Sequence, residues 1–260
     1  MTFDRQLVFL YQQYSRKEKS LKHYCVVIAF AALAAAQNRS SPPSPTGSGR
    51  HAIVAMMRVA DESHTVDFEE GYIRHLEWHR QAKDKFNWYS YSFGSSTDRQ
   101  RWIIYAAFGH TSAELSNPVS PAEDQRDAIL NIPHVQYMGS SIYEFLPALS
   151  RGNSVPRPLL KAEYTTVEVN FGEAKAFEAA LASEQSGLQG ETLWYRMVEG
   201  GGMSRYIRLR LRASLENILD QRSGQTLPDK VKGSVSKMTV EILNLRPDML
   251  VKVTAEPPRP

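Results

Sequence analysis

The sequence predicts an α+β protein in which one βαββαβ unit is written twice. Runs with strand and helix periodicity follow one another in the same order in both halves of the 260-residue chain. The Trp-Tyr pair at 88–89 recurs at the corresponding place, 194–195, in the second half. Each half also closes on a similar run, Ile142–Pro147 in the first and Ile242–Pro247 in the second. With 42% hydrophobic residues, the chain has ample apolar material for a buried core.

Periodicity and turn residues define the individual elements of both halves. The predicted elements of the first half are a strand at 51–60, a helix at 67–85, strands at 86–93 and 101–108, a helix at 121–130 and a strand at 141–146. The predicted elements of the second half are a strand at 164–171, a helix at 173–184, strands at 192–198 and 205–212, a short helix at 215–221 and a strand at 238–245. The shared order indicates a tandem repeat, with a first α+β repeat at 51–150 and a second at 160–255.

This order of elements resembles the dimeric α+β barrel superfamily, which includes the NIPSNAP-like and the antibiotic-biosynthesis-monooxygenase-like proteins. The resemblance covers about residues 51 to 250 and depends on element order and strand endings. It implies two ferredoxin-like repeats that form a tandem α+β barrel, with helices outside and a cavity that often binds a small molecule. The sequence matches no catalytic motif of that superfamily, so the resemblance assigns no catalytic residue.

The amino terminus has the pattern of an export signal. A basic stretch at 16–22 precedes a 13-residue apolar run, Tyr24–Ala36, that ends in an A-x-A pattern. This run is too short to span a bilayer, which needs about 20 residues. We therefore predict a signal peptide at 1–36, a disordered Ser/Pro/Gly-rich linker at 37–50, and a periplasmic or secreted protein with no stable membrane anchor after cleavage.

Cleavage of this signal peptide would also remove the excess positive charge and the cysteine of the chain. The net charge of +3 comes from residues 1–36, so the remainder is neutral and a nucleic-acid partner is not expected. Cys25 is the only cysteine and would be lost with the signal, which excludes disulfides and thiol chemistry from the mature protein. The sequence assigns no cofactor and no metal, and open edge strands could pair in a homodimer.

Strand alternation suggests a ligand site between the two sheets. In the run RYIRLRLR at 205–212, Ile207, Leu209 and Leu211 are expected under the helices, so that the arginines between them face the other sheet. The residues expected on this arginine-rich wall are Arg208, Arg210, Arg212, Arg196, Glu168, Asn170 and Trp194. The opposing wall is expected to contain Trp88, Trp102, Met56, Ile104, Ala106, Phe108, Arg58 and Ser90.

Such walls would suit a small amphipathic or anionic molecule, because guanidinium groups bind carboxylates with two hydrogen bonds. The alternative is that the alternating arginines form a solvated face or an ion-pair network with residues such as Glu168, and this alternative is favoured.

The histidines are a second lead. His75 and His79 are four residues apart on the first predicted helix, and this spacing can direct two imidazoles at one metal ion. His110 or His134 could supply a third ligand or act as a general base. No HExxH motif accompanies the pair, so packing or surface roles are favoured for all four histidines.

The sequence thus leaves three functions open. The first is binding of a small molecule between the sheets. The alternatives are a cofactor-free or haem-dependent oxidoreductase of the same superfamily and a non-enzymatic interaction protein.

Overall fold

In the computed structural model, the eight strands found among the described residues close into a single antiparallel barrel. The structure describes residues 50–94, 101–116, 119–156, 161–183, 190–201, 204–212, 214–220 and 227–251. The predicted signal peptide lies outside these residues, and so does the predicted linker apart from Arg50. Among the helices in the described ranges, none combines the length and the apolar character needed to cross a membrane.

The secondary structure follows the predicted order. The strands are β1 (His51–Val59), β2 (Trp88–Phe93), β3 (Trp102–His110), β4 (Val135–Phe145), β5 (Lys161–Val169), β6 (Thr192–Glu199), β7 (Arg205–Arg212) and β8 (Val235–Val251). The α-helices are α1 (Thr65–Gln81), α2 (Ser112–Leu115), α3 (Pro121–Asn131), α4 (Ala174–Ser183), α5 (Leu215–Asp220) and α6 (Asp229–Lys232). Short 3₁₀ turns lie at Glu62–His64 and Pro147–Leu149.

The barrel order is β1-β3-β2-β8-β5-β7-β6-β4. The strands of the first half therefore run β4-β1-β3-β2 and those of the second run β8-β5-β7-β6, which is the same order. Pairing of β2 with β8 and of β4 with β6 joins the halves, so one chain closes the barrel by itself. All of these pairings are antiparallel.

Alternate residues of the strands fill the barrel interior with apolar and aromatic side chains. The buried residues of this interior are Ala52, Val54, Tyr89, Tyr91, Phe93, Ile104, Ala106, Phe108, Tyr143, Ala162, Tyr164, Leu193, Tyr195, Met197, Ile207, Leu209, Leu211, Leu243 and Leu245. The cavity that remains among them, lined by Tyr91, Phe108 and Tyr164 among others, has room for about one water molecule. The interior is therefore a packed core.

Two further cores lie between the barrel and its helices. Under α1 and α3, Phe68, Tyr72 and Leu76 pack on outward residues of β1 and β3 such as Met57 and Tyr105. Under α4, Phe177 contacts the rings of Trp194 and Tyr206, with ring centroids 6.0 and 4.9 Å apart. Each half of the barrel thus has its own helical cover.

The last strand of each half is longer than predicted. The second-half strand was predicted to end at 245, shortly before Pro247, yet β8 continues to Val251. Tyr91 pairs with Leu245 and Tyr89 with Leu250, so the segment containing Pro247 bulges out opposite Ser90. A bulge tolerates proline because its residues need not donate to the neighbouring strand. In the first half, β4 begins at Val135, six residues before the predicted start at 141.

Candidate metal centre

The inner face of α1 directs two histidines toward the sheet. His75 and His79 lie one turn apart and are 6% and 5% exposed, so both imidazoles are buried. Their Nε2 atoms are 3.2 Å apart. This confirms that the spacing seen in the sequence places both rings on one side of the helix.

The opposing helix, α3, contributes a carboxylate from its first turn. Asp124 is 7% exposed, and its Oδ1 lies 3.3 Å from His75 Nε2 and 3.5 Å from His79 Nε2. The three atoms form a nearly equilateral triangle. Zn²⁺ at about 2.0–2.1 Å from each atom in tetrahedral geometry would hold such ligands roughly 3.3 Å apart, so the triangle already has the dimensions of a metal site.

The other ring nitrogen of each histidine faces a second carboxylate. His75 Nδ1 is 2.8 Å from Asp127 Oδ2, and His79 Nδ1 is 2.8 Å from Asp84 Oδ2. Asp84 is fixed in turn, because it accepts hydrogen bonds from the Trp88 indole N–H (2.9 Å) and the Phe86 backbone N–H (3.1 Å). Metal-binding histidines usually have such a partner, which sets the tautomer and the orientation of the ring.

This arrangement places three lone pairs at one point. If Nδ1 of each ring donates to its carboxylate, the Nε2 atoms of neutral His75 and His79 both carry lone pairs. These two lone pairs and the Asp124 oxygen then converge without a hydrogen between them. A cation at the centre of the triangle would be attracted by all three atoms. A proton on one imidazole satisfies only part of the triangle, whereas a metal ion satisfies all three atoms.

The pKa shifts agree with an accumulation of negative charge. Burial lowers the pKa of His75, but Asp124 and Asp127 outweigh burial and raise it above its ordinary value. Burial likewise opposes ionisation of Asp84, yet hydrogen bonds from His79 and Trp88 bring the pKa of that carboxyl below its usual value. A buried carboxylate of this kind is stable only beside positive charge.

Aromatic rings enclose the site. Trp78 stacks parallel to His75 at 5.9 Å between ring centroids, and Trp88 lies 5.7 Å from His79. Tyr72, 6.5 Å from the His75 ring, accepts a hydrogen bond from Ser90 Oγ. These rings keep the surroundings apolar, which strengthens electrostatic interactions within the triangle.

Close approach of α1 and α3 depends on Gly71, one turn before His75. A Cβ atom at this position would lie 2.0 Å from the backbone oxygen of Asn131 and 2.7 Å from Pro133. Gly71→Ala should therefore push the two helices apart, lowering the free energy of unfolding by about 1–3 kcal/mol and weakening metal binding. Urea unfolding and a zinc titration of this variant would check both effects. Gly233→Ala is the control, because a Cβ there meets no atom within 4 Å.

The two other candidate histidines lie elsewhere. His110 packs against Phe86, with ring centroids 4.2 Å apart, and has Glu114 at 3.6 Å, while burial lowers its pKa. His134 stacks on His64 at 3.6 Å. Neither joins the triangle, whose third atom comes from a carboxylate, Asp124.

The predicted arginine-rich wall is on the opposite face from the one expected. Ile207, Leu209 and Leu211 lie inside the barrel, and the intervening Arg208, Arg210 and Arg212 lie on its outer surface. The prediction was wrong because the closed interior is apolar on both sides. Unpaired guanidinium groups would be costly there, whereas the outer surface places the carboxylate of Glu163 beside them.

Two of the other residues predicted for this wall also lie outside the barrel. Trp194 packs under α4 beside Arg208, and Arg196 binds Glu144 and Glu178 at 2.6 and 3.1 Å. Glu168 pairs instead with Arg205 at 2.9 Å.

The residues predicted for the opposing wall lie partly outside and partly inside the barrel. Trp88 and Ser90 are outside, against α1, whereas Trp102 packs on the interior cluster and pairs in register with Arg58. The structure therefore groups Trp194 with Arg208 but does not bring the two predicted walls together as one site.

Comparisons with known proteins bear on the fold alone. No protein-family model and no curated protein matches the sequence. A candidate monooxygenase of Fusobacterium nucleatum aligns with a TM-score of 0.56 at 12% identity, covering 76% of this chain and 93% of its own. An anthrone oxidase-like protein (TM-score 0.52, 10% identity, 78% and 94% covered) and a candidate chlorite dismutase (0.52, 10%, 77% and 96%) have the same architecture.

These neighbours belong to the dimeric α+β barrel superfamily, the monooxygenase-like class that the order of elements resembled. The chain thus has the α+β barrel fold of that class. At identities this low the likeness extends to the architecture and leaves the activity open.

Proposed function

We propose that the protein binds one divalent transition-metal ion through His75 Nε2, His79 Nε2 and the carboxylate of Asp124. The observation that carries this proposal is the buried triangle of ligand atoms, with sides of 3.2–3.5 Å. Two imidazoles and one carboxylate suit Zn²⁺ and Fe²⁺, and three protein ligands leave a coordination position for another molecule. Asp127 and Asp84 orient the two rings, and the surrounding aromatic rings limit access of water.

An oxidoreductase is the second candidate function. Structural neighbours include proteins named as a candidate monooxygenase and an anthrone oxidase-like protein, which supports this class for the present chain. A set of two histidines and one carboxylate with open positions is also the ligand set of non-haem iron oxygenases. An oxidoreductase of this kind would use a metal held by the two histidines and Asp124, in contrast to the haem-dependent and cofactor-free alternatives that the sequence suggested.

Three further proposals come from the sequence: export to the periplasm, the origin of the halves as ferredoxin-like repeats, and assembly as a homodimer. Binding between the sheets has less support, because side chains fill the barrel interior.

Titration with ZnCl₂ tests the proposed function. The protein, freed of metal with EDTA and then dialysed, should bind one Zn²⁺ per chain in a calorimeter, and its Tm should rise with zinc concentration because the ion binds the folded state. Lowering the pH from about 7.5 to about 5.5 should weaken binding, since protons compete for the two Nε2 atoms. Absence of saturable binding of both Zn²⁺ and Fe²⁺ would overturn the proposal.

A further inference from the structure

A second cluster of charge lies on the outer face of the other half. Strand alternation places Arg208, Arg210 and Arg212 of β7 beside Lys161 and Glu163 of β5. The three arginines are 4%, 7% and 7% exposed, so this is not a solvated face. Four cationic groups therefore share one carboxylate among the described residues of the cluster.

The single carboxylate serves two of the arginines. Glu163 Oε1 lies 3.1 Å from Arg208 Nη2, and its two oxygens lie 3.4 Å from Arg210 Nη1. Arg208 also donates to Thr165 Oγ1 at 3.1 Å and lies over the ring of Trp194. Lys161 donates to the side chain of Asn244, which is neutral.

Among the residues that the structure describes, no carboxylate is in ion-pair contact with Arg212, and Glu163 acts on it only at longer range. Arg212 Nη1 donates to the backbone oxygen of Leu211 at 2.9 Å, while its Nη2 is buried and has no hydrogen-bond partner within the described part of the chain. Gly190 runs close to this guanidinium, because a Cβ there would lie 2.8 Å from Arg212 Nη1. The guanidinium group of Arg212 is thus buried with N–H donors at Nη2 that have no acceptor among the described residues. Such burial costs free energy unless an acceptor is supplied.

Mutual repulsion within the cluster is visible in its pKa values. Burial lowers the pKa of Arg208 to about 10, with Arg210 and Arg212 adding to the decrease against the opposing effect of Glu163. Burial and Arg210 likewise lower the pKa of Arg212, although Glu163 opposes them. An added anion would relieve this excess of positive charge.

We propose that Arg212, with Arg210 and Lys161 beside it, binds the oxyanion of a small molecule, a phosphate or a carboxylate group. Guanidinium forks recognise both groups through paired hydrogen bonds. The site is on the outer surface of the second half of the barrel, whereas the proposed metal centre is on the first half. Either proposal can therefore fail without the other.

Thermal unfolding in the presence of sodium phosphate or sodium malonate tests this site. EDTA is included so that the metal centre does not contribute, and NaCl at matched ionic strength gives the baseline. We expect a saturable rise in Tm with at least one of the two anions, and the preferred anion distinguishes a tetrahedral phosphate from a planar carboxylate. No saturable rise with either anion would overturn the proposal.

Two variants make the test specific. Arg212→Gln should raise the half-saturating anion concentration at least tenfold and, without anion, should unfold at the same or a higher Tm because it removes repulsion. Arg196→Gln is the matched control and should bind within twofold of wild type, since Glu144 and Glu178 already pair with Arg196. Unchanged binding by a folded Arg212→Gln would contradict the proposal. If that variant does not fold, Arg212→Lys keeps the charge without the fork and should still weaken binding.

Discussion

His79→Ala is expected to lower the affinity for Zn²⁺ by at least about 100-fold. Loss of a partner that only orients a metal-bound histidine already costs about 10–100-fold, and this substitution removes a ligand atom itself. His75 and Asp124 would remain, and two ligands hold zinc much less tightly than three. Competition with a chromophoric chelator, which reports free zinc directly, measures the change.

His51→Ala is the control for this experiment. His51 begins β1 and contributes no atom to the triangle, so its loss should change zinc affinity less than about twofold. Equal binding by His79→Ala and wild type would mean that zinc binds elsewhere, and would contradict the proposed metal centre.

Glu163→Gln should destabilise the fold by about 3–5 kcal/mol, because it leaves buried arginines without their carboxylate. Glu163 is 2% exposed and contacts both Arg208 and Arg210. Chemical denaturation in a buffer without phosphate or carboxylates measures the free energy of unfolding. Chloride should be the only anion present, so that no added oxyanion replaces the missing charge.

The matched control is Glu168→Gln, on the same strand. Glu168 pairs with Arg205 where both side chains are about one-third exposed, and surface ion pairs contribute about 0–1 kcal/mol. A loss below about 1 kcal/mol for Glu163→Gln would show that the arginine cluster does not depend on this carboxylate.

The element order could be predicted from the sequence because its signals are local. Helix periodicity, hairpin glycines and aromatic strands all act over a few residues, and their positions agree with α1, α3, α4 and the eight strands within a few residues, apart from the ends of β4 and β8. The continuation of β8 past Pro247 depends on a bulge against β2, a partner more than 140 residues away in the chain, which no local pattern specifies.

The face of β7 could not be assigned from alternation. Alternation divides Arg208 from Leu209 but does not say which of the two faces the inside of a barrel. Which face of β7 lies inside depends on the residues of the other strands that line the barrel. Val54, Ile104 and Phe108 line it with apolar side chains, so the leucine face of β7 is buried against them. The arginines then meet Glu163, which shares their outer face through the β5–β7 register.

The sequence indicated the two histidines of the proposed metal centre but not its carboxylate. The spacing of His75 and His79 indicated a pair on one face of a helix, and the structure confirms it. The third proposed ligand is on α3, which the fold brings to α1, and Asp124 resembles any acidic residue in the first turn of a helix when seen in sequence alone. A pair of aspartates three residues apart, on the helix predicted at 121–130, was the signal available.

A crystal structure of the zinc-loaded protein with anomalous data at the zinc edge tests the metal centre most directly. We predict one anomalous peak per chain, about 2.0–2.2 Å from His75 Nε2, His79 Nε2 and a carboxylate oxygen of Asp124. Asp127 should remain hydrogen-bonded to His75 Nδ1, and Asp84 should remain beside His79 Nδ1. A fully zinc-saturated crystal with no peak between α1 and α3 would contradict the account.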